Sequence, residues 1–343
     1  MRHINIPVFI PHLGCPNQCI FCNQRTISGT VEFDETKPRE EIETALKTVH
    51  DDDECEIAFF GGSFTGIDRC LMIRLLDMAQ EYINCGRVKA IRMSTRPDYI
   101  NPEIIGILKN YTISCVELGI QTMNDCVLAY LKRGHTSEDT VNAVKLLKDA
   151  GFDFVGQMMI GLPGATPGDE ADCAEKISLM GASGARIYPT LVLRSTELEY
   201  MTGHGEYIPL SVEDAVERSA AVLKIFSRHN VPCIRIGLCD SENLHSEDTF
   251  VAGPNFPSIG EMIRSRLFLD MTCEKIDALT ADGNGNCKKI IIHCPPKTTS
   301  QVTGNKRENI KKLTARYGFL RIKVREDSSL AGYDVNVVAD KED

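Results

Sequence analysis

The chain has 343 residues, 43% of them hydrophobic, which allows one large α/β unit plus an appended module and argues against wholesale disorder. No stretch of about 18 apolar residues is present, excluding an ordinary membrane-spanning helix, and the net charge of −10 argues against broad non-specific nucleic-acid binding. Fourteen cysteines in so long a chain do not suit a disulfide framework.

Met1-Arg2-His3 leads directly into a strand pattern with no apolar signal segment, which predicts a cytoplasmic protein. The apolar run around Val8–Pro11 feeds a loop bearing Cys15, Cys19 and Cys22 in C-x3-C-x2-C spacing. Three thiolates on one short loop can hold three corners of an iron–sulfur cluster and leave the fourth iron open to a small molecule. The other reading is a zinc site completed by His12 or another residue. Zinc prefers C-x2-C pairs in a closed tetrahedral set, a spacing found only between Cys19 and Cys22. Most other cysteines, including Cys55, Cys70, Cys85, Cys115, Cys126 and Cys173, fall within apolar patterns and read as buried thiols. Cys233 with Cys239, or Cys273, Cys287 and Cys294, lack the tight spacing of a second cluster.

Further strand patterns follow at Glu56–Phe60, Val88–Ser94, Ser114–Gly119, Phe154–Ile160, Arg186–Thr190 and Cys233–Leu238. Between them lie helical patterns at Pro38–His50, Asp68–Asn84, Pro102–Leu108, Glu138–Ala150, Gly168–Met180 and Val212–His229. Repeated strand–helix units predict an α/β fold with a parallel sheet closed into a partial TIM-type (β/α) barrel over residues 1–238. The loops after the strands form the reactive face of such a barrel. Gly61-Gly62-Ser63, Ser94-Thr95-Arg96, Gln121-Thr122, Gly161-Leu162-Pro163-Gly164 and Tyr188-Pro189-Thr190 all fall there, as does the cysteine loop.

The rhythm breaks after residue 238. Residues 239–287 read as a connecting loop and a helix near Ile259–Met271, with a turn at Asp282–Asn286. Residues 288–343 read as a small β-α-β-β domain: Lys289–His293, Lys306–Tyr317, Phe319–Arg325 and Tyr333–Val338.

Several residues stand out on their own chemistry. Glycines at 61 and 62 allow backbone to approach a ligand closely, or simply make a turn. Arg96 precedes Pro97 and is held extended, as a ligand contact or a surface charge. Glu117 lies in an apolar strand and needs a partner or a function; Arg96 and Arg133 are the candidate partners. Gln157 and Met159 alternate with Met158 and Ile160, so one pair points into the barrel.

The chain resembles the radical S-adenosylmethionine (radical SAM) enzymes through its cysteine loop. Arg133-Gly134-His135-Thr136, Ser94-Thr95-Arg96-Pro97-Asp98-Tyr99, Val116-Glu117-Leu118-Gly119-Ile120-Gln121 and Ile187-Tyr188-Pro189-Thr190-Leu191-Val192 resemble the Elongator catalytic-subunit branch. The resemblance covers about residues 5–238. It implies a [4Fe-4S] cluster on Cys15, Cys19 and Cys22, with S-adenosylmethionine on the unique iron. Reductive cleavage of that cofactor yields a 5′-deoxyadenosyl radical that abstracts hydrogen from a substrate, the electron coming from a donor such as flavodoxin or ferredoxin. Phe21 corresponds to an aromatic beside the adenine, or anchors the loop to the core. Gly61, Gly62 and Ser63 offer carbonyls to the methionine ammonium group, although the superfamily usually has a carboxylate where Ser63 stands. Ser94, Thr95 and Arg96 correspond to contacts near the ribose and carboxylate. Glu117 and Gln121 with Arg96 and Arg133 would form a polar network around the cofactor or a buried structural pair, the resemblance places Gly161 beside the adenine, and Tyr188 would contact cofactor or substrate or stand as a satisfied core phenol. The catalytic residues are left unassigned.

Residues 288–325 carry eleven Lys and Arg against the single acid Glu308, a segment charge of +10 that leaves −20 elsewhere. Along the helix, Lys306, Arg307, Lys311, Lys312 and Arg316 lie off the apolar face; in the next strand Arg321, Lys323 and Arg325 alternate with Leu320, Ile322 and Val324. This predicts a continuous basic surface suited to a phosphate backbone, and the Elongator-like branch implies transfer RNA and its modification. The alternative is a solvated module that complements the acidic barrel. The cysteine spacing is tighter than Elongator's, and about a hundred residues after the barrel leave no room for its acetyltransferase domain. Two other functions stay open: radical chemistry on a small metabolite or peptide, and a non-catalytic cluster or zinc protein acting as an RNA-binding scaffold.

Overall fold

The computed structural model describes residues 3–10, 15, 19–23, 33–50, 52–238, 246, 248–280 and 288–340. In chain order the barrel elements are β1 (His3–Phe9), α1 (Lys37–Leu46), β2 (Glu54–Phe60), α2 (Arg69–Asn84), β3 (Ala90–Thr95) and α3 (Pro102–Leu108). They continue with β4 (Ile113–Gln121), α4 (Asp125–Tyr130), α5 (Ser137–Asp149), β5 (Asp153–Ile160), α6 (Pro167–Leu179) and β6 (Gly184–Pro189). Then come β7 (Val192–Leu193), α7 (Glu197–Gly203), α8 (Val212–Arg228), β8 (Cys233–Ile236) and β9 (Phe250–Ala252). The chain finishes with α9 (Ile259–Leu279), β10 (Lys289–Cys294), α10 (Thr299–Thr303), α11 (Glu308–Tyr317), β11 (Arg321–Glu326) and β12 (Asn336–Ala339).

Seven strands form one parallel sheet in the order β1-β2-β3-β4-β5-β6-β8. Alternate residues set its two faces. Val8, Ile57, Phe59, Ile91, Met93, Val116, Leu118, Met158 and Ile187 point outward into the core shared with the helices. Glu56, Arg92, Glu117, Gln157, Arg186 and Arg235 occupy the alternate positions and line the inner face. In a flat sheet β2 and β6 would stand roughly 19 Å apart. Yet the Arg186 guanidinium on β6 lies 5.5 Å from the Phe60 ring centroid on β2, so the sheet curls into a half-barrel.

Helix starts follow local chemistry. The helix expected from Glu138 begins one residue earlier, at Ser137, because Thr136 is the N-cap and forms a capping box with Asp139. Ser211 caps α8 through Asp214. Helix α9 runs two turns beyond its sequence pattern because it serves two cores. Ile259, Ile263 and Leu267 pack into the barrel core, whereas Phe268 and Ile276 pack with the three-stranded sheet β11-β10-β12. Among the described residues no helix is long and apolar enough to cross a membrane.

The expectation that most other cysteines are buried needs correcting. Cys55, Cys115, Cys173 and Cys294 are buried, but Cys70, Cys85 and Cys126 are exposed on helices, where the apolar pattern had room for a thiol on either face. Cys239 and Cys287, candidates for a second cluster, lie outside the described residues, as does the Asp282–Asn286 turn.

Candidate cofactor site at the barrel mouth

The cysteine loop is tied to the barrel at several points. Ile20 donates its amide to the Leu131 carbonyl at 3.2 Å and accepts from the Leu198 amide at 2.8 Å. The Cys22 amide donates to the Cys19 carbonyl at 3.0 Å, closing a tight turn. Phe21 packs beside Ile20, Leu131, Leu162 and Leu198, so it anchors the loop to a small satellite core. Cys19 is 4% exposed, and Arg133 joins it to β4: Nη1 donates to Cys19 Sγ at 3.4 Å and Nη2 to the Gly119 carbonyl at 2.7 Å.

None of the three thiols of the loop is in a disulfide. Among the described residues no three His, Cys, Asp or Glu side chains are gathered tightly enough to hold a metal ion, and His12 lies outside those residues. Nevertheless the donor chemistry fits a sulfur-ligated cluster, with a guanidinium at hydrogen-bond distance from one sulfur. A polar ligand also fits the mouth. Arg96 Nη1 and Gln121 Oε1 are buried and have no hydrogen-bond partner among the described residues.

Each strand end contributes one piece of this mouth. Gly61 has φ +100°, and a Cβ there would meet the Phe9 ring at 2.7 Å, so only glycine fits between β1 and β2. Gly62 follows, and the Ser63 carbonyl accepts the Gly66 amide at 2.9 Å, engaging one of the proposed carbonyl acceptors. Ser94 points to the inner face, whereas Thr95 turns away to Thr65, with 2.6 Å between the hydroxyls. Arg96 is 3% exposed, which rules out a surface charge. It forms a fork to Asp98 at 2.9 and 2.8 Å, and its guanidinium sits 5.5 Å from the Tyr99 ring centroid. Burial opposes its charge, but the hydrogen bond and charge of Asp98 together with Cys15 and Cys19 hold the guanidinium above its usual range. Gln121 takes φ +68° at a register shift in β4 that re-aims its side chain.

The Gly161 peptide is clamped from both sides. Its amide donates to Glu170 Oε1 at 2.7 Å, its carbonyl accepts from the Tyr207 hydroxyl at 2.7 Å, and Leu210 closes over it where a Cβ would clash at 2.6 Å. Arg218 neutralises Glu170 through two hydrogen bonds of 2.9 and 2.6 Å.

One layer below, Glu117 is wholly buried at the hub of a polar belt. Arg92 Nη1 donates to it at 3.1 Å, Arg186 Nη2 at 2.6 Å and Gln157 Nε2 at 2.8 Å, with the Ser94 hydroxyl at 3.5 Å. Arg92 Nε also reaches Glu56 at 3.0 Å, and Arg186 Nη1 donates to the Tyr188 hydroxyl at 3.2 Å. The expected partners, Arg96 and Arg133, do not touch Glu117: they sit at the loop level above it and serve Asp98, Cys19 and Gly119.

A model of the radical SAM superfamily matches residues 9–177, and one of a radical SAM C-terminal domain matches residues 182–268. The chain belongs to the radical SAM superfamily. These enzymes use a [4Fe-4S] cluster and S-adenosylmethionine. A tRNA uridine(34) acetyltransferase of Methanocaldococcus jannaschii is 34% identical in a 246-residue alignment that covers 59% of this chain and 45% of that protein. Elongator complex protein 3 of Mus musculus is 29% identical over 209 residues, 54% of this chain and 38% of that one. The chain thus spans less than half the length of either relative. The fold is shared with an archaeal Methanocaldococcus infernus Elp3 at a TM-score of 0.59 and 23% identity, covering 82% of this chain and 63% of that chain.

Within this radical SAM barrel, sequence reasoning missed Arg92, Arg186, Glu170, Tyr207 and His135. Charged residues at inner positions of apolar strands were the available signal for the first two. His135 is 4% exposed and neither ring nitrogen makes a well-formed hydrogen bond among the described residues. Burial, reinforced by Arg133, pushes its imidazole down to about 4.

The basic tail differs from its sequence reading. Ile310 and Leu313 of α11 and Ile322 of β11 meet in one core. The helix cations and those of β11 therefore point away from that core in opposite directions, giving two basic faces instead of one surface. Lys312 pairs with Glu308 at 2.8 Å, Arg316 with Asp277 at 3.3 Å and Lys323 with Asp340 at 3.0 Å. Lys306, Arg307, Lys311, Arg321 and Arg325 are exposed.

Proposed function

We propose that this radical SAM enzyme binds its cluster through Cys15, Cys19 and Cys22 and its S-adenosylmethionine across the barrel mouth, and that it modifies RNA, with transfer RNA as the substrate class. When bound, cluster and cofactor supply the electron and the carbon–sulfur bond whose cleavage gives the 5′-deoxyadenosyl radical. The chain's residues bind and orient. Arg133 ties Cys19 to β4, Gly61 and Gly62 bring backbone close, Arg96 and Gln121 offer unsatisfied polar atoms, and the clamp on the Gly161 peptide holds in place the loop that would lie along the adenine. A flavodoxin- or ferredoxin-type protein is the proposed electron donor.

The observation that carries this reading is the Arg133 bridge, which links a cysteine of the triad to the strand whose end carries Gln121. The names of the relatives, tRNA uridine(34) acetyltransferase and Elongator complex protein 3, support an RNA substrate. The exposed cations of the tail supply phosphate contacts for it, with the start of α11 favoured over β11 because Lys306 and Arg307, in the turn before the helix, cluster with Lys311 of its first turn on one short segment.

Anaerobic reconstitution with iron and sulfide, followed by an assay for 5′-deoxyadenosine, tests the chemistry. Product is expected from the native chain, while Cys19→Ala should lose cluster absorbance and product yet unfold at a similar denaturant concentration. An intact cluster that yields no product overturns the enzymatic reading. Salt-dependent tRNA binding tests the substrate class.

A further inference from the structure

The end of α4 is shaped to deliver Arg133 to the cysteine loop. Lys132 takes the left-handed position just past the helix, at φ +56°, where glycine is usual. Its amide returns to the Ala129 carbonyl at 3.1 Å, and the Arg133 amide returns to the Leu128 carbonyl at 3.0 Å, the pairing of a Schellman turn. Gly134 is left-handed as well, at φ +73°, so Arg133 stands between two reversals of the backbone. Its side chain is 7% exposed and spans two elements, with Nη1 on Cys19 Sγ at 3.4 Å and Nη2 on the Gly119 carbonyl at 2.7 Å. Arg96, a buried guanidinium at the same level, commits its fork to Asp98 instead.

Fixing the loop would need only a neutral hydrogen bond, and the Leu131 carbonyl already supplies one to Ile20. A guanidinium adds a full positive charge in a poorly hydrated place, carried to the sulfur through an N–H. We propose that Arg133 sets the reduction potential of the cluster, raising it and so easing the uptake of one electron. The inference rests on reading Cys15, Cys19 and Cys22 as the cluster ligands. In this step the flavodoxin- or ferredoxin-type donor loses one electron and the cluster gains it, with no bond made or broken and no proton moved. Arg133 favours the more negative, reduced form because burial leaves little water to screen the attraction, and hydrogen bonds to sulfur are a lever on such potentials. The bond to Gly119 holds the donor in place before the electron arrives.

The test is a potentiometric titration of the reconstituted full chain without S-adenosylmethionine. Electron paramagnetic resonance counts the reduced cluster, and a direct assay gives iron per chain. Arg133→Gln keeps an N–H donor and removes the charge. It should lower the ratio of reduced to oxidised cluster about tenfold or more at a fixed ambient potential, a midpoint about 59 mV more negative for one electron. Arg133→Lys keeps the charge and should recover most of that shift. Equal midpoints in all three chains at equal iron content overturn the proposal and make Arg133 a mechanical tie. Loss of the cluster from both variants does the same, because a tie is then what both have lost. A native chain that takes up no cluster overturns the cluster reading and this one with it, whereas a native cluster with an unmoved midpoint overturns this one alone.

Discussion

The barrel lumen and the C-terminal module both set arginines against carboxylates, and they differ in how far water enters. Arg186 reaches Glu117 at 2.6 Å, with side chains 11% and 0% exposed, and a second guanidinium and an amide complete the carboxylate's shell. Arg316 reaches Asp277 at 3.3 Å, with both side chains more than half exposed. In the lumen, desolvation makes each charge depend on its partner, so the network is all or nothing. On the module, solvent and salt screen the pair, and the cations remain available to a polyanion. The same residue types therefore build a rigid floor in one region and an adjustable surface in the other.

Four experiments probe that contrast, beginning with the largest effect. Glu117→Ala would leave Arg92 and Arg186 facing each other without their carboxylate, and should cost about 3–5 kcal/mol in urea unfolding of the metal-free chain. A cost under about 1 kcal/mol would mean that water already bathes the belt. His135 is next. Its folded-state value near 4 lies below the unfolded one near 6.5, so the unfolded chain takes up the proton first. Stability should fall by about 3 kcal/mol as pH drops from about 6.5 to about 4 and level off below that from this group. His135→Asn should flatten this part of the pH profile, and an unchanged slope would assign the acid sensitivity to other groups.

Smaller still is the clamp on the Gly161 loop. Tyr207→Phe deprives the buried Gly161 carbonyl of its donor and should cost about 1–2 kcal/mol. Cofactor affinity should weaken with it if the clamp positions the loop. The triple change Lys306→Glu, Arg307→Glu and Lys311→Glu should alter stability by about 0.5 kcal/mol or less, because all three side chains are exposed. It should nonetheless lower the slope of tRNA affinity against salt by about one for each phosphate contact removed. The matching change on Arg321 and Arg325 asks which face carries RNA, and equal losses would show that the nucleic acid wraps both.

Much of the fold was legible because its signals are local. Alternating apolar residues around Glu56–Phe60 and Phe154–Ile160, and capping residues such as Ser211, specify strand and helix from a few neighbours. The register shift at Gly119 and Gln121, and the extension of α9 into a second core, were not legible, since each answers to contacts made elsewhere in the chain.

By itself the sequence determined the three-cysteine loop, the parallel strand–helix succession, the glycine at position 61 and the concentration of positive charge after residue 288. Only the tertiary structure decided that Glu117 belongs to Arg92 and Arg186, that Arg133 belongs to Cys19, and that the tail's cations divide between opposite faces. The reason is geometric. A two-residue period says which side of a strand a side chain occupies, but its partner is set by how the sheet curls, and that brings Arg186 to a carboxylate 69 residues away.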